Sequence, residues 1–270
     1  MAVREHVIGV DFSGARDAGK YVWLAEGRVK NGALTLDSCC PARALAGGGI
    51  AHDIAIAALV DRLRRARTAV AGLDFPFSLP VQFMGQADWS RFVGGFAGLY
   101  PTAELFRAAL NRAAGGKEPK RRTDVDARTP FGAWNLRMYR QTWSGITGVL
   151  APLVRNDDVR VAPMQAAHCG KPILVETCPA SLLKAEGLYV PYKGRGEGPR
   201  AAREGILGAL VARNLLRRPT ERLRALLLDN AGGDALDAAL AAICAMRASA
   251  SASTLLPADE TDRLEAKVYF

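Results

Sequence analysis

Val7-Ile8-Gly9-Val10-Asp11 is a short apolar run that ends in an acid, and Phe12-Ser13-Gly14 then turns the chain. Two later stretches have the same form. Ala69-Val70-Ala71-Gly72-Leu73-Asp74 is closed by Pro76 and Pro80, and Ile173-Leu174-Val175-Glu176 is followed by Pro179, which starts a helix through Glu186. Runs that are apolar throughout read as strands buried on both faces. Between the first two, Asp53 offers an N-cap to a helix through about Arg67, with Ile56, Leu59, Val60 and Leu63 as its apolar stripe. A helix of about 15 residues suits a right-handed crossover between parallel neighbours. Before it, Lys20–Val29 and Ala33–Cys39 read as strands, entered by turns at Gly19 and Asn31-Gly32, the latter a good hairpin signal. The fold class is therefore α/β, opening on a three-stranded meander.

Composition agrees. Of 270 residues, 49% are apolar and 23% charged, the profile of a folded soluble protein, which excludes disorder as the dominant state. No stretch approaches the ~18 uninterrupted apolar residues of a membrane span, and Arg4, Glu5 and Asp11 around a very short apolar run argue for a first strand over a signal peptide. The five cysteines are odd in number and match no zinc spacing. His168-Cys169 and Cys178 lack a fourth partner, so reduced thiols in a cytoplasmic protein are expected. Net charge is +9 and unevenly placed: residues 193–224 hold nine Lys/Arg against three Glu, and residues 225–270 three Lys/Arg against seven Asp/Glu. A basic surface favours polyanions such as nucleic acid, although arginine-rich solvated helix faces give the same counts.

The chain reads as one domain over 1–270. An insertion of mixed short helices and loops covers about 77–165 and contains Trp89, Trp134 and Trp143. Lys193-Gly-Arg-Gly-Glu-Gly-Pro199 reads as a mobile polar loop without the ending of a phosphate-binding P-loop. Helices follow at about 200–217, 220–228 and 234–247, then a tail over about 248–270. No repeat of solenoid length is present.

Ligands of open α/β sheets bind at the carboxyl ends of parallel strands, which makes Asp11, Asp74 and Glu176 candidate site residues. Gly232-Gly233-Asp234-Ala-Leu-Asp237 adds an acid pair one turn apart at a helix start. At about 100° per residue, Asp237 falls on the border of that helix's apolar face. Each acid has an ordinary role open to it: a turn at Asp11 or Asp74, an arginine partner for Glu176, an N-cap at Asp234. Jointly they would supply the clustered carboxylate oxygens that a hard divalent cation needs.

These segments resemble domain-of-unknown-function family 429, described as predicted nucleases with an RNase H-like fold. The likeness rests on Ile-Gly-Val-Asp11-Phe-Ser-Gly, Leu-Asp74-Phe-Pro, Val-Glu176-Thr-Cys-Pro and Asp234-Ala-Leu-Asp237-Ala, with Lys193, Gly198, Arg200 and Arg203 similar to its basic segment. It implies a mixed five-stranded sheet in the order 3-2-1-4-5 flanked by helices. It implies metal ligation by Asp11, Asp74, Glu176, Asp234 and Asp237, with Asp11, Asp74, Glu176 and Asp237 catalytic. Two Mg²⁺ or Mn²⁺ ions roughly 3.5–4 Å apart would then hydrolyse phosphodiester bonds, with Lys193, Arg195, Arg200, Arg121 and Arg122 as phosphate contacts. The helix at 53–67 lacks the metal-binding Glu of RNase H proper, which brings the pattern closer to the Holliday-junction resolvase branch. The chain also ends in Glu265-Ala-Lys-Val-Tyr-Phe where the family often has a Glu-Gly-Trp-like segment. The expected partner is nucleic acid, DNA or RNA left open, with no membrane and with room for a homodimer.

Two rivals compete with the nuclease. One is an actin-like-ATPase-type phosphotransferase, with Asp11-Phe-Ser-Gly and Asp229-Asn-Ala-Gly-Gly233 as phosphate loops, although two copies of that core need more than 270 residues. The other is a non-catalytic nucleic-acid or protein-binding module, opposed by the retention of every acid.

Overall fold

A computed structural model describes residues 4–85 and 88–270; residues 86 and 87 of the expected insertion lie outside the described residues. The strands are β1 (His6–Asp11), β2 (Trp23–Lys30), β3 (Ala33–Pro41), β4 (Val70–Asp74), β5 (Arg160–Ala162), β6 (Ile173–Thr177) and β7 (Val268–Tyr269). They form one mixed sheet in the order β3-β2-β1-β4-β6-β5, with β7 also beside β6. β1 is antiparallel to β2 and parallel to β4, and β4 is parallel to β6. The five strands legible in the sequence thus lie side by side as β3, β2, β1, β4 and β6. The expectation of five strands is corrected to seven. β5 pairs with Ile173–Val175 and β7 with Glu176–Thr177, so the two share the outer edge of β6 end to end. Strands of three and two residues are too short to carry a periodic signal.

Helices cover both faces. On one side α1 (Ala18–Tyr21) is a single turn where the sequence suggested a strand, and α2 (His52–Arg65) makes the crossover. The cap of α2 is Ala51, so Asp53 stands in the first turn instead of capping. From the insertion come α3 (Trp89–Leu99), α4 (Ala103–Ala113), α5 (Arg122–Asp126), α6 (Tyr139–Ser144) and a π-helical stretch, Gly145–Leu150, that runs into α7 (Ala151–Arg155). Ile8, Val10, Leu73 and Leu174 pack here with Ile56, Leu59, Phe92 and Phe106. The opposite face carries α8 (Pro179–Ala185), α9 (Glu197–Ala212), α10 (Glu221–Asp229) and α11 (Asp234–Ala248) over Val7, Val70, Ile173 and Val175. The segment expected as a tail supplies α12 (Glu260–Glu265) and β7.

α11 positions the site. Every residue in it except Asp234 and Arg247 is buried, so the amphipathic stripe drawn from the helical wheel is corrected to burial on nearly all sides. Alanines make this close packing feasible, and two glycines complete it. Gly9 and Gly72 are register partners. A Cβ on Gly9 would lie 2.0 Å from the Ala238 carbonyl oxygen, and one on Gly72 2.6 Å from that of Ala241. The helix backbone therefore rests directly on the bare centre of the sheet.

Candidate acidic site at the strand ends

Successive residues of a strand face opposite sides of the sheet. Gly9 and Gly72 face α11, so Asp11 and Asp74, two residues further along each strand, face it too. The two acids are register partners, and neighbouring strands lie about 4.8 Å apart, so their side chains leave the sheet side by side. From above, the first turn of α11 brings Asp237. Asp237 accepts a hydrogen bond from the Tyr192 hydroxyl at 2.5 Å on Oδ1, and the Lys193 ammonium lies 2.6 Å from Oδ2. Asp234 follows the Gly233 cap and is half-buried. All four acids line one cleft of about 890 Å³, with Phe12, Phe75, Phe131 and Tyr189 among its apolar walls.

Charge in this cleft is under tension. Burial first, and then Asp237, push the Asp11 carboxyl well above the usual range; Asp74 and Asp234 add to the push, and Lys193 opposes it. Burial and Asp237 likewise push Asp74 up to about 8. Asp234 is raised by burial, against Lys193. For Lys193, burial alone would lower the ammonium, but Asp237, Asp11 and Asp74 outweigh it and hold the group charged above its ordinary range. Lys193 is thus the cation around which the acids gather. Among the described residues, no group of three or more His, Cys, Asp or Glu side chains is placed, as the structure stands, to hold a metal ion.

Other sequence candidates fall elsewhere. The register pair Leu73–Glu176 places Glu176 level with a residue that faces away from α11. Its carboxylate is taken by Arg121, at 2.5 and 2.8 Å, and by the Phe77 amide at 2.8 Å. Glu176 therefore lines the edge of the cleft as part of a buried ion network, close enough to Asp74 to add to the upward push on its carboxyl. Arg121 belongs to the same network: the residue is 1% exposed, and all of its guanidinium N–H groups are engaged by Asp124, Glu176 and the Glu265 carbonyl. Arg122 is exposed but paired with Asp259 and Asp262, and Arg200 with Asp229. Arg195 is exposed.

The expected mobile loop at 193–199 is also revised. Buried Arg203 donates to the carbonyls of Tyr192 and Gly194, the Gly194 amide bonds Ala231, and Glu197–Pro199 already belong to α9. The sequence reading missed Tyr192, whose short polar segment has no periodicity. It also missed Thr177, one residue past Glu176, which faces α11, lines the cleft and has a buried hydroxyl without a partner. The two-residue alternation contained that signal once Glu176 was known to point away.

A mixed sheet flanked by helices, with an acidic cleft at the ends of its parallel strands, is the class of α/β protein defined by this fold and site. The chain belongs to the family described as "Protein of unknown function (DUF429)", whose model matches residues 9–262. No curated protein and no solved structure gives a significant match to it.

Proposed function

We propose that this protein is a divalent-metal-dependent nuclease with an RNase H-like arrangement of its sheet. One observation carries the reading: buried Asp11 and Asp237 and half-buried Asp74 come from three separate elements and meet in a single cleft, where among the described residues one lysine, Lys193, stands against them. Folding keeps mutually repelling carboxylates together at a cost, and a bound cation removes that cost.

The donor set fits Mg²⁺ or Mn²⁺. These are hard ions that take oxygen ligands, and Mg²⁺ is commonly held by one or two carboxylates together with water and substrate phosphates. Asp11 and Asp74 are carboxylates that no donor among the described residues hydrogen-bonds, with Asp234 and Asp237 beside them. A metal bound there supplies Lewis-acid polarisation of a phosphoryl oxygen. The chain's own part is to hold Asp11 and Asp74 in register, to seat Asp237 through α11, and to offer Lys193 and the exposed Arg195 and Arg137 to the phosphate backbone. Nucleic acid, DNA or RNA, is the substrate class this charge pattern favours. A cytoplasmic location accompanies it, in keeping with five free cysteines. No helix among the described residues is long and apolar enough to cross a membrane. The phosphotransferase rival loses support because Asp229-Asn-Ala-Gly-Gly233 leaves a helix, α10, instead of a strand.

Asp11→Asn tests the reading. It relieves repulsion in the metal-free protein, so the melting temperature in chelator stays level or rises. The Mn²⁺-dependent rise in melting temperature expected from ligand linkage disappears, along with cleavage of single-stranded, duplex and branched DNA and RNA. A destabilised apo variant that keeps the wild-type response to Mn²⁺ would make Asp11 structural and end the metal reading.

A further inference from the structure

The geometry points to a mixed cation site: Lys193 fills one of the two cation positions, so the cleft accepts a single divalent ion, on Asp11 and Asp74. The inference rests on the metal-dependent reading above and departs from the two-ion mechanism that the family resemblance implies.

Three observations carry it. First, Asp237 is already satisfied. Tyr192 donates to one of its oxygens at 2.5 Å and the Lys193 ammonium stands 2.6 Å from the other. A second divalent ion on Asp237 would stand against that ammonium and compete with it for Oδ2. Second, Lys193 is built into place although its side chain is 56% exposed. Arg203, itself 2% exposed, holds the carbonyls on both sides of it, Tyr192 at 2.6 Å and Gly194 at 3.2 Å, and anchors itself on the Leu228 carbonyl at 2.7 Å. The Gly194 amide closes the clamp on Ala231 at 2.7 Å, with Gly194 at φ 127°, a backbone geometry that L side chains rarely adopt. The clamp fixes the backbone on both sides of Lys193, and Asp237 then holds the ammonium at the cleft. Third, Asp11 and Asp74 are left as an open pair that no donor among the described residues hydrogen-bonds. Two carboxylates are what a Mg²⁺ or Mn²⁺ ion completed by water and phosphate takes. In this arrangement the ammonium supplies the fixed positive charge that a second metal supplies elsewhere, aimed at the phosphate from the Asp237 side.

Metal counting decides the matter without an activity assay. Mn²⁺ is titrated into the full-length protein by calorimetry, and the loaded samples are read by electron paramagnetic resonance, since two adjacent Mn²⁺ ions couple and an isolated one does not. The wild type should bind one Mn²⁺ per chain with the six-line signal of an isolated ion. Lys193→Ala and Lys193→Met, which empty the position, should bind two with a coupled spectrum, whereas Lys193→Arg should stay at one. Melting curves confirm that each variant is folded. Two ions in the wild type would overturn the inference and leave the metal-dependent reading intact, as would one ion in both neutral variants. No bound Mn²⁺ in the wild type would end both.

Discussion

Gly9→Ala adds a single methyl group, and the structure dictates a large effect. The new Cβ would lie 2.0 Å from the Ala238 carbonyl oxygen and 2.1 Å from the Ala242 nitrogen, where ordinary contact begins at 3.4 Å. Both atoms belong to the α11 backbone and cannot rotate away, so the helix has to retreat by more than 1 Å or β1 has to bow. A gap of 0.5–1 Å already forfeits roughly a quarter to a half of the dispersion energy of each contact across it. Overpacking a tight core usually costs about 1–3 kcal/mol and occasionally more. With backbone on both sides of the clash, we expect about 3 kcal/mol or more. The assay is urea unfolding at pH 7 with linear extrapolation, which should show a lower midpoint at constant slope. Gly94→Ala in α3 is the matched control. Nothing lies within 4 Å of its would-be methyl, so helix propensity alone should stabilise that variant by about 0.5–1 kcal/mol. A Gly9→Ala variant within about 0.5 kcal/mol of wild type would refute the claim that α11 rests backbone-to-backbone on the sheet, and with it the account of how Asp237 is held over Asp11.

Arg121→Met should cost about 3–5 kcal/mol in the same assay, because it leaves Asp124 and Glu176 buried without their counter-charge; a loss below 1 kcal/mol would show that the network is solvated. The pH dependence of the metal-free protein follows from Asp74. Burial and Asp237 push its carboxyl up to about 8, against about 3.9 in the unfolded chain. The folded state therefore binds the proton more tightly, and stability should fall as pH rises from about 4 to about 8, by on the order of 2–4 kcal/mol for this partly covered group. Asp74→Asn should flatten that fall, and an unchanged pH profile in the variant would contradict the assignment. Thiol labelling of the native protein should modify exposed Cys169 first, half-buried Cys40 more slowly, and Cys39, Cys178 and Cys244 only on unfolding. Burial pushes the Cys39 and Cys178 thiols up to about 12, so rapid labelling of either would show that its wall of the core opens.

Legibility in the sequence divided along physical lines. Continuous apolar runs marked β1, β4 and β6, because strands buried on both faces have no polar residues to interrupt them, and the acids at their ends were visible for the same reason. Phase was not visible. Asp11, Asp74 and Glu176 look alike as text, yet a one-residue offset in register sends Glu176 to the opposite face and into the arms of Arg121. The burial of Arg121 was hidden for a related reason: nothing local distinguishes an arginine that the insertion buries from one left in water. The insertion itself lacks a clean period because its helices are short and one continues as a π-turn. The position of Lys193 depends on Arg203, ten residues on and one helix away, and no local pattern encodes that clamp.

The seating of α11 on Gly9 and Gly72 also sets when the site comes into being. The helix contributes residues 234–248 to a sheet centre laid down by residues 6–11 and 70–74. Docking it closes a loop of more than two hundred residues, an entropic cost on the order of 5 kcal/mol, repaid only once the alanine face reaches the glycines. Contacts so distant in sequence are the ones that slow folding most. Asp237 is carried by this helix while Asp11 and Asp74 stand paired on two strands, so any state with α11 undocked keeps the pair and lacks the third acid. The three-acid site exists only where α11 is docked.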